Sequence, residues 1–349
     1  MYVVPRPEVN DDPLHAVRLA SMAVATFALI PFVQPAIPPL LVALPVGLMA
    51  GMRKAFDPKK AFGGPIAFIV MVWLMASIVS FARPMPVVLV TIMGLFYFLG
   101  FYLIQKTGNP MGMLLLIVTV LMSVMGMSST AALEVMRDGF TEACIVAAIL
   151  IPLLYAIFPP AAKENLVEIY TPAPGPHAAS ALIRAGVLLV MSFWLYTVID
   201  LSNLMLAVAA TFVLVFPTRE TLFAEAKERT VSTALGACVA AMILFVLTLN
   251  AHLPILLGLV FLAGLFFGSR MMRGYYPGMV YQFGMSVTLA LVAGALSTQE
   301  PAYAAMTRTV LTLVGAVAAA YLTAVLEALF LSRPAHLSEP ASLLSLIHI

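Results

Sequence analysis

Charge is what this sequence has least of. Asp, Glu, Lys and Arg make up 10% of its 349 residues, where soluble domains carry about a quarter. The balance is a net +2, too small to point to nucleic acid. Cysteine is almost as scarce. Cys144 and Cys238 both fall in apolar stretches, which reads as small packing residues rather than a disulfide or metal role. There is no G-x-x-x-x-G-K-[ST], so ATP hydrolysis is not expected of this chain. The five histidines (His15, His177, His252, His336 and His348) scatter near span ends and in the tail. No His, Asp or Glu group has metal-ligand spacing, and no serine sits in a nucleophile-elbow context. The expectation is therefore no enzyme, no metal and no cofactor.

What fills the chain instead is apolar sequence. Hydrophobic residues reach 62%, and the mean hydropathy is +1.05. The runs are continuous rather than alternating, which excludes a β-barrel and leaves α-helices as the spanning element. About 20 residues cross a bilayer. The fold expected is all-α: a polytopic integral membrane protein of about twelve transmembrane helices. Their approximate limits are Leu14–Val33, Pro35–Met52, Phe62–Ala82, Pro84–Gln105, Pro110–Met127 and Glu134–Pro159. The second set is His177–Ile199, Ser202–Pro217, Glu228–Asn250, Leu253–Gly268, Tyr275–Ala295 and Ala302–Leu331.

Between the sixth and seventh spans lies Phe158–His177, FPPAAKENLVEIYTPAPGPH, with five prolines and the only polar run near mid-chain. Such sequence belongs in water. The chain divides accordingly into a polar N-terminal tail (1–13), a first six-helix set (14–159), a Pro-rich linker (160–176), a second set (177–331) and a C-terminal tail (332–349). The opening residues lack the pattern of a cleaved signal peptide. The last six, 344–349 (LSLIHI), read as non-native sequence.

Basic residues alternate between loops. Arg53, Lys54, Lys59, Lys60, Lys106, Lys163, Arg219, Lys227, Arg229, Arg270, Arg273 and Arg333 all follow even-numbered spans. The odd loops hold Arg83, with Arg137 and Arg308 at span mouths. By the positive-inside rule both termini and the linker are cytoplasmic, which suits a multi-pass protein of a bacterial inner membrane. The two sets also echo each other. Arg18 and Arg53 recur as Arg184 and Arg219, 166 positions on; Pro110 recurs as Pro277 after 167, and Arg137 as Arg308 after 171. Six spans per set give both sets the same orientation, so the expectation is two parallel six-helix repeats about an axis along the membrane normal.

Each half opens with an arginine on an apolar helix and reaches a basic loop two helices later. In the second half that loop runs into Arg229-x-x-x-Thr233-x-x-Gly236. This resembles the Arg/Gly-Thr/Gly signature of the fusaric acid resistance and aromatic acid exporter superfamily. Lys59-Lys60-Ala61-Phe62-Gly63-Gly64 is a worn first-half version. Many members carry a sizeable soluble domain, and this chain has only the linker. The resemblance implies a secondary transporter exporting small organic, mainly aromatic, acids, often beside a periplasmic adaptor protein. A homo-oligomer is open. The alternative is a non-transporting membrane scaffold of an envelope complex.

Charges within spans are costly and mark functional candidates. Glu134, Arg137, Asp138 and Glu142 open the sixth span. Asp138 and Glu142 share a helix face, and Glu142 lies roughly 12 Å inside. Both are candidates for proton coupling, against the plainer reading of capping acids paired with Arg137. Arg137 and Arg308, and on the opposite side Arg18 and Arg184, are candidates to bind a substrate anion, against snorkelling anchors or ties to lipid phosphates. Glu327 is expected in solvent. Trp73 and Trp194 sit inside spans, where each indole N–H wants a partner. Tyr275, Tyr276, Tyr281 and Gln282 suit either ring stacking or an interfacial belt. The prolines of span two suit either a kinked substrate-lining helix or the ordinary proline content of membrane helices. Gly63, Gly64, Gly236, Gly264 and Gly268 are expected at close helix contacts. Residues 218–230 place Leu222, Phe223 and Ala226 at helical spacing with charges opposite, which suits an interfacial helix or a docking surface for a partner or the neighbouring half.

Overall fold

Long apolar runs in a bilayer must satisfy every backbone polar group internally, and this chain does so with helices. The computed structural model describes residues 12–108, 111–164, 177–197, 219–250, 252–296 and 301–330, and no β-strand occurs among them. They form eleven α-helices and one π-helical turn. The first six helices are α1 (His15–Val33), α2 (Pro38–Gly51), α3 (Gly64–Ala82), α4 (Pro86–Thr107), α5 (Met111–Ser128) and α6 (Thr130–Ile157). The π-helical turn, Lys59–Gly63, leads directly into α3. After the linker come α7 (His177–Thr197), α8 (Arg219–Leu249), α9 (Leu253–Arg273), α10 (Gly278–Leu296) and α11 (Pro301–Phe330). Eight of these, counting the π turn with α3, are long and apolar enough to cross a membrane. The expected span Ser202–Pro217 lies outside the described residues.

Helix ends follow local chemistry. Proline occupies the first turn of α2, α3, α4 and α9, where its missing N–H costs nothing. Gln34 and Gly108 close α1 and α4 in the left-handed conformation, with φ of 49° and 71°. Ser129 caps α6, its hydroxyl accepting from Ala132 N at 2.9 Å. That cap starts α6 a turn before Glu134. Proline-dense α2 has 14 residues, about 21 Å by helix rise, so it is too short to cross a core of about 30 Å.

One correction concerns residues 218–230. From Arg219 onward they are not a separate interfacial helix but the first turns of α8, continuous to Leu249. The run AEAKER is made of strong helix formers, so nothing stops the helix between the polar stretch and the span.

The buried side chains fall into two clusters. One joins α3, α4, α5, α7 and part of α6 around Tyr97, Phe101 and Met122. The other joins α1, α2, α9, α10 and the last turns of α6 around Phe27, Val260 and Phe267. Outer faces carry bare apolar side chains, such as Val87 (80% exposed) and Phe245 (66%), as a lipid-facing surface requires. α1 packs along α9 and α4 packs along α7. Within each set α3 meets α5 and α6, and α8 meets α10 and α11.

The closest crossings are made by glycine. A Cβ on Gly264 or Gly268 would lie 2.5 and 2.7 Å from the backbone of Ala20 and Ala16 on α1. One on Gly236 would lie 2.5 Å from the carbonyl oxygen of Gly284 on α10. Gly63 and Gly64 are different: nothing lies within 4 Å of a Cβ on either, so they make no close helix contact where the π turn joins α3.

Candidate functional site

Polar side chains gather at the two ends of the bundle. At the first end, α6 begins beside the last turn of α3, where Arg83 donates to Thr130 Oγ1 at 2.8 Å. Two turns further in, Arg137 lies over the Trp73 ring, 4.3 Å from its centroid. Arg137 Nε also donates to Asp138 Oδ1 at 2.8 Å. The Trp73 indole N–H donates to Thr141 Oγ1 at 3.1 Å, so the indole finds its partner across the α3–α6 contact. Between these helices is a cavity of about 390 Å³ lined by Trp73, Ser77, Ser80, Thr130, Glu134 and Arg137.

The acids expected to work together at this end have different surroundings. Asp138 is exposed and paired. Glu142, one turn deeper, is half-buried. Its Oε2 is shut off from solvent and has no hydrogen-bond partner. An enclosed carboxylate oxygen without a donor is unfavourable. Neighbouring Gly139 faces Ile37 and Leu40 at the start of α2, which places this stretch of α6 against the proline-rich helix. The side chains of Arg308 and Trp194 lie outside the described residues.

At the opposite end, Arg18 and Arg184 are among the most buried large side chains, 1% and 0% exposed. Arg18 is ion-paired with Asp12, donates to Phe158 O at 2.8 Å and lies over the Tyr155 ring, 4.3 Å from its centroid. The Tyr155 hydroxyl donates to Met52 O at 2.8 Å. Arg184 Nη2 donates to Glu327 Oε1 at 3.0 Å, and the Ser180 hydroxyl lies 3.2 Å from the same oxygen. Gln105 on α4 turns its amide nitrogen to His177 O at 2.9 Å and its oxygen to Arg184 Nε at 3.2 Å. Glu327 is therefore not in solvent: it is 7% exposed and engaged with α7. Each arginine is thus tied to the final turns of a long helix, α6 or α11. A buried guanidinium persists only with such partners.

Sequence reasoning missed Asp12 and the Tyr97 cluster. Tyr97 OH lies 3.1 Å from Ser192 Oγ and 3.4 Å from Ser123 Oγ, all three buried. Ser192 stands two turns beyond Arg184 on the same face of α7, a spacing visible in the sequence.

The Arg229, Thr233 and Gly236 signature sits on α8. Arg229 and Thr233 are buried, and the Arg229 guanidinium lies on the Phe283 ring. Gly236 gives its carbonyl to Thr288 Oγ1 at 3.0 Å. The motif thus fastens α8 to α10. Residues 189–322 match the fusaric acid resistance protein-like family. The resemblance read from the signature therefore holds over the segment that contains it. The matched segment includes Ser192, the signature and Arg308; it leaves out Glu142, Arg137 and both buried arginines with their acids. No curated protein and no solved structure matches the chain. Tyr281 is 5% exposed and Tyr275 92% exposed, so one packs inside while the other stands at the surface. Gln282 donates to Gly47 O at 3.1 Å, joining α10 to α2.

Proposed function

We propose that this membrane protein is a secondary exporter of small organic, mainly aromatic, acids, driven by the proton gradient. The family match supports membrane transport of resistance-related compounds. The observation that carries the proton step is Glu142, a carboxyl group inside a spanning helix whose Oε2 has no donor. Carboxyl groups inside spanning helices mark proton and ion pathways. Arg137, over Trp73 beside the cavity, supplies a guanidinium and a ring where an aromatic anion would dock. The chain does no covalent chemistry in this reading.

The architecture proposed is two parallel six-helix halves with both termini cytoplasmic in a bacterial inner membrane. Packing supports it. Let α1, α3, α4, α5 and α6 correspond to α7, α8, α9, α10 and α11. The α1–α9 contact then corresponds to α7–α4, and α3–α5 to α8–α10. The contacts α3–α6 and α1–α6 likewise have partners in α8–α11 and α7–α11. The seams α1–α9 and α4–α7 are the surfaces along which the halves would move. In this orientation the Arg137 end faces outward, where a periplasmic adaptor protein would dock.

Loss of the gene should sensitise cells to an aromatic acid such as benzoate. Restoring the wild-type chain should reverse that, and Glu142→Gln should not. Full rescue by Glu142→Gln removes the proton role.

A further inference from the structure

We infer that the Arg184 site at the cytoplasmic end is the entry site for the substrate's carboxylate, and that Glu327 occupies it as an internal surrogate. This rests on the reading of the chain as an organic-acid transporter. Three features distinguish the site from a plain structural ion pair.

First, the donors converge on one oxygen. Arg184 Nη2 donates to Glu327 Oε1 at 3.0 Å, and Arg184 Nε and the Ser180 hydroxyl, at 3.3 and 3.2 Å from it, share their hydrogens between that oxygen and Gln105. The guanidinium is fully buried and held in orientation by Gln105. A second carboxylate in the same place would meet donors already arranged for it.

Second, the surrogate can leave. Glu327 stands one turn from the end of α11 at Phe330. Its carboxylate sits on a flexible side chain and the residue is 7% exposed, so it is not sealed inside the bundle. The exchange is neutral for the site, since one carboxylate replaces another on Arg184. No buried guanidinium is left bare, which would otherwise make opening costly.

Third, the site holds an unused polar group. Thr323 lies one turn before Glu327 on the same face of α11, is 0% exposed, and its hydroxyl has no hydrogen-bond partner. A buried hydroxyl without a partner is unfavourable unless something supplies one. An incoming carboxylate set deeper than that of Glu327 would accept from it. The chemical class that fits is a monocarboxylate with an apolar or aromatic body. Its second polar group, if any, would lie toward the cytoplasm.

The test is direct binding of benzoate to the purified full chain, by calorimetry in detergent. This reads the site without requiring flux, so it fails separately from a transport assay. Glu327→Gln removes the competing charge and should bind benzoate about tenfold more tightly than wild type. Thr323→Val, which disturbs no existing hydrogen bond, should weaken binding severalfold in the Glu327→Gln background. Arg184→Gln should abolish it. Equal affinity in wild type and Glu327→Gln overturns the proposal, as does a Thr323→Val affinity unchanged from its background. No measurable benzoate binding by Glu327→Gln overturns it as well. A structural ion pair alone predicts lower stability for Glu327→Gln and no gain in binding.

Discussion

Arg18 reaches across from α1 to donate to the carbonyl oxygen of Phe158, 140 residues later, at 2.8 Å. That bond closes the end of α6, whose last carbonyls have no partner within the helix. The same guanidinium covers Tyr155 and pairs with Asp12. Arg18→Gln should therefore cost about 3–5 kcal/mol, the range for breaking a buried pair from one side. Thermal unfolding in detergent measures it. Arg18→Lys should recover little, because an ammonium cannot stack and bridge at once. A loss below about 1 kcal/mol would place Arg18 among ordinary exposed ion pairs.

Gly236 and Gly63 make a matched pair of substitutions. A Cβ at Gly236 would lie 2.5 Å from Gly284 O and 2.9 Å from Val287 Cβ. Gly236→Ala must push α8 off α10, and overpacking of this kind costs about 1–3 kcal/mol. Gly63→Ala meets nothing within 4 Å and should be neutral or slightly stabilising, since alanine restricts the unfolded chain. Unfolding midpoints of the two variants should separate accordingly. Equal midpoints would mean that α8 and α10 can part freely.

The α4–α7 seam can be locked. Gly94 and Leu189 face each other there, with 3.7 Å between the position of a Gly94 Cβ and Leu189 Cδ2. Gly94→Cys with Leu189→Cys, in a Cys238→Ser background, should be joined by a short, reducible bis-thiosulfonate crosslinker. If the halves move against each other, crosslinking should stop flux and reduction should restore it. Undiminished flux in the crosslinked protein would show that the seam is static.

Glu142 should illustrate a conflict between stability and activity. Its Oε2 is buried without a donor, so Glu142→Leu should raise stability by about 1–3 kcal/mol while abolishing transport. A destabilised variant would mean that the carboxyl group holds the fold together.

The candidate residues were legible because a charge in an apolar run stands out. Arg18, Arg184 and Glu142 need no alignment to be noticed. Their partners were hidden. Asp12 looks like part of a polar tail, and Glu327 looks like a helix-end acid. Asp12 meets Arg18 through the turn that opens α1, six residues away, whereas only the packing of α7 against α11 brings Glu327 to Arg184. Glycines show the same limit: Gly236 and Gly63 look alike in sequence, yet one faces a backbone and the other open space. The continuity of α8 was missed because charge density suggested an interface, whereas helix propensity runs unbroken through those charges.

The most direct test of the account uses everted membrane vesicles, in which export becomes uptake. Labelled benzoate should enter vesicles carrying the wild-type chain when the lumen is acidified, and a protonophore should abolish the uptake. Vesicles with Glu142→Gln at equal expression should take up less than about a tenth as much, the loss expected when a coupling carboxyl is removed. Wild-type uptake by Glu142→Gln, or wild-type uptake indifferent to the proton gradient, would contradict the account.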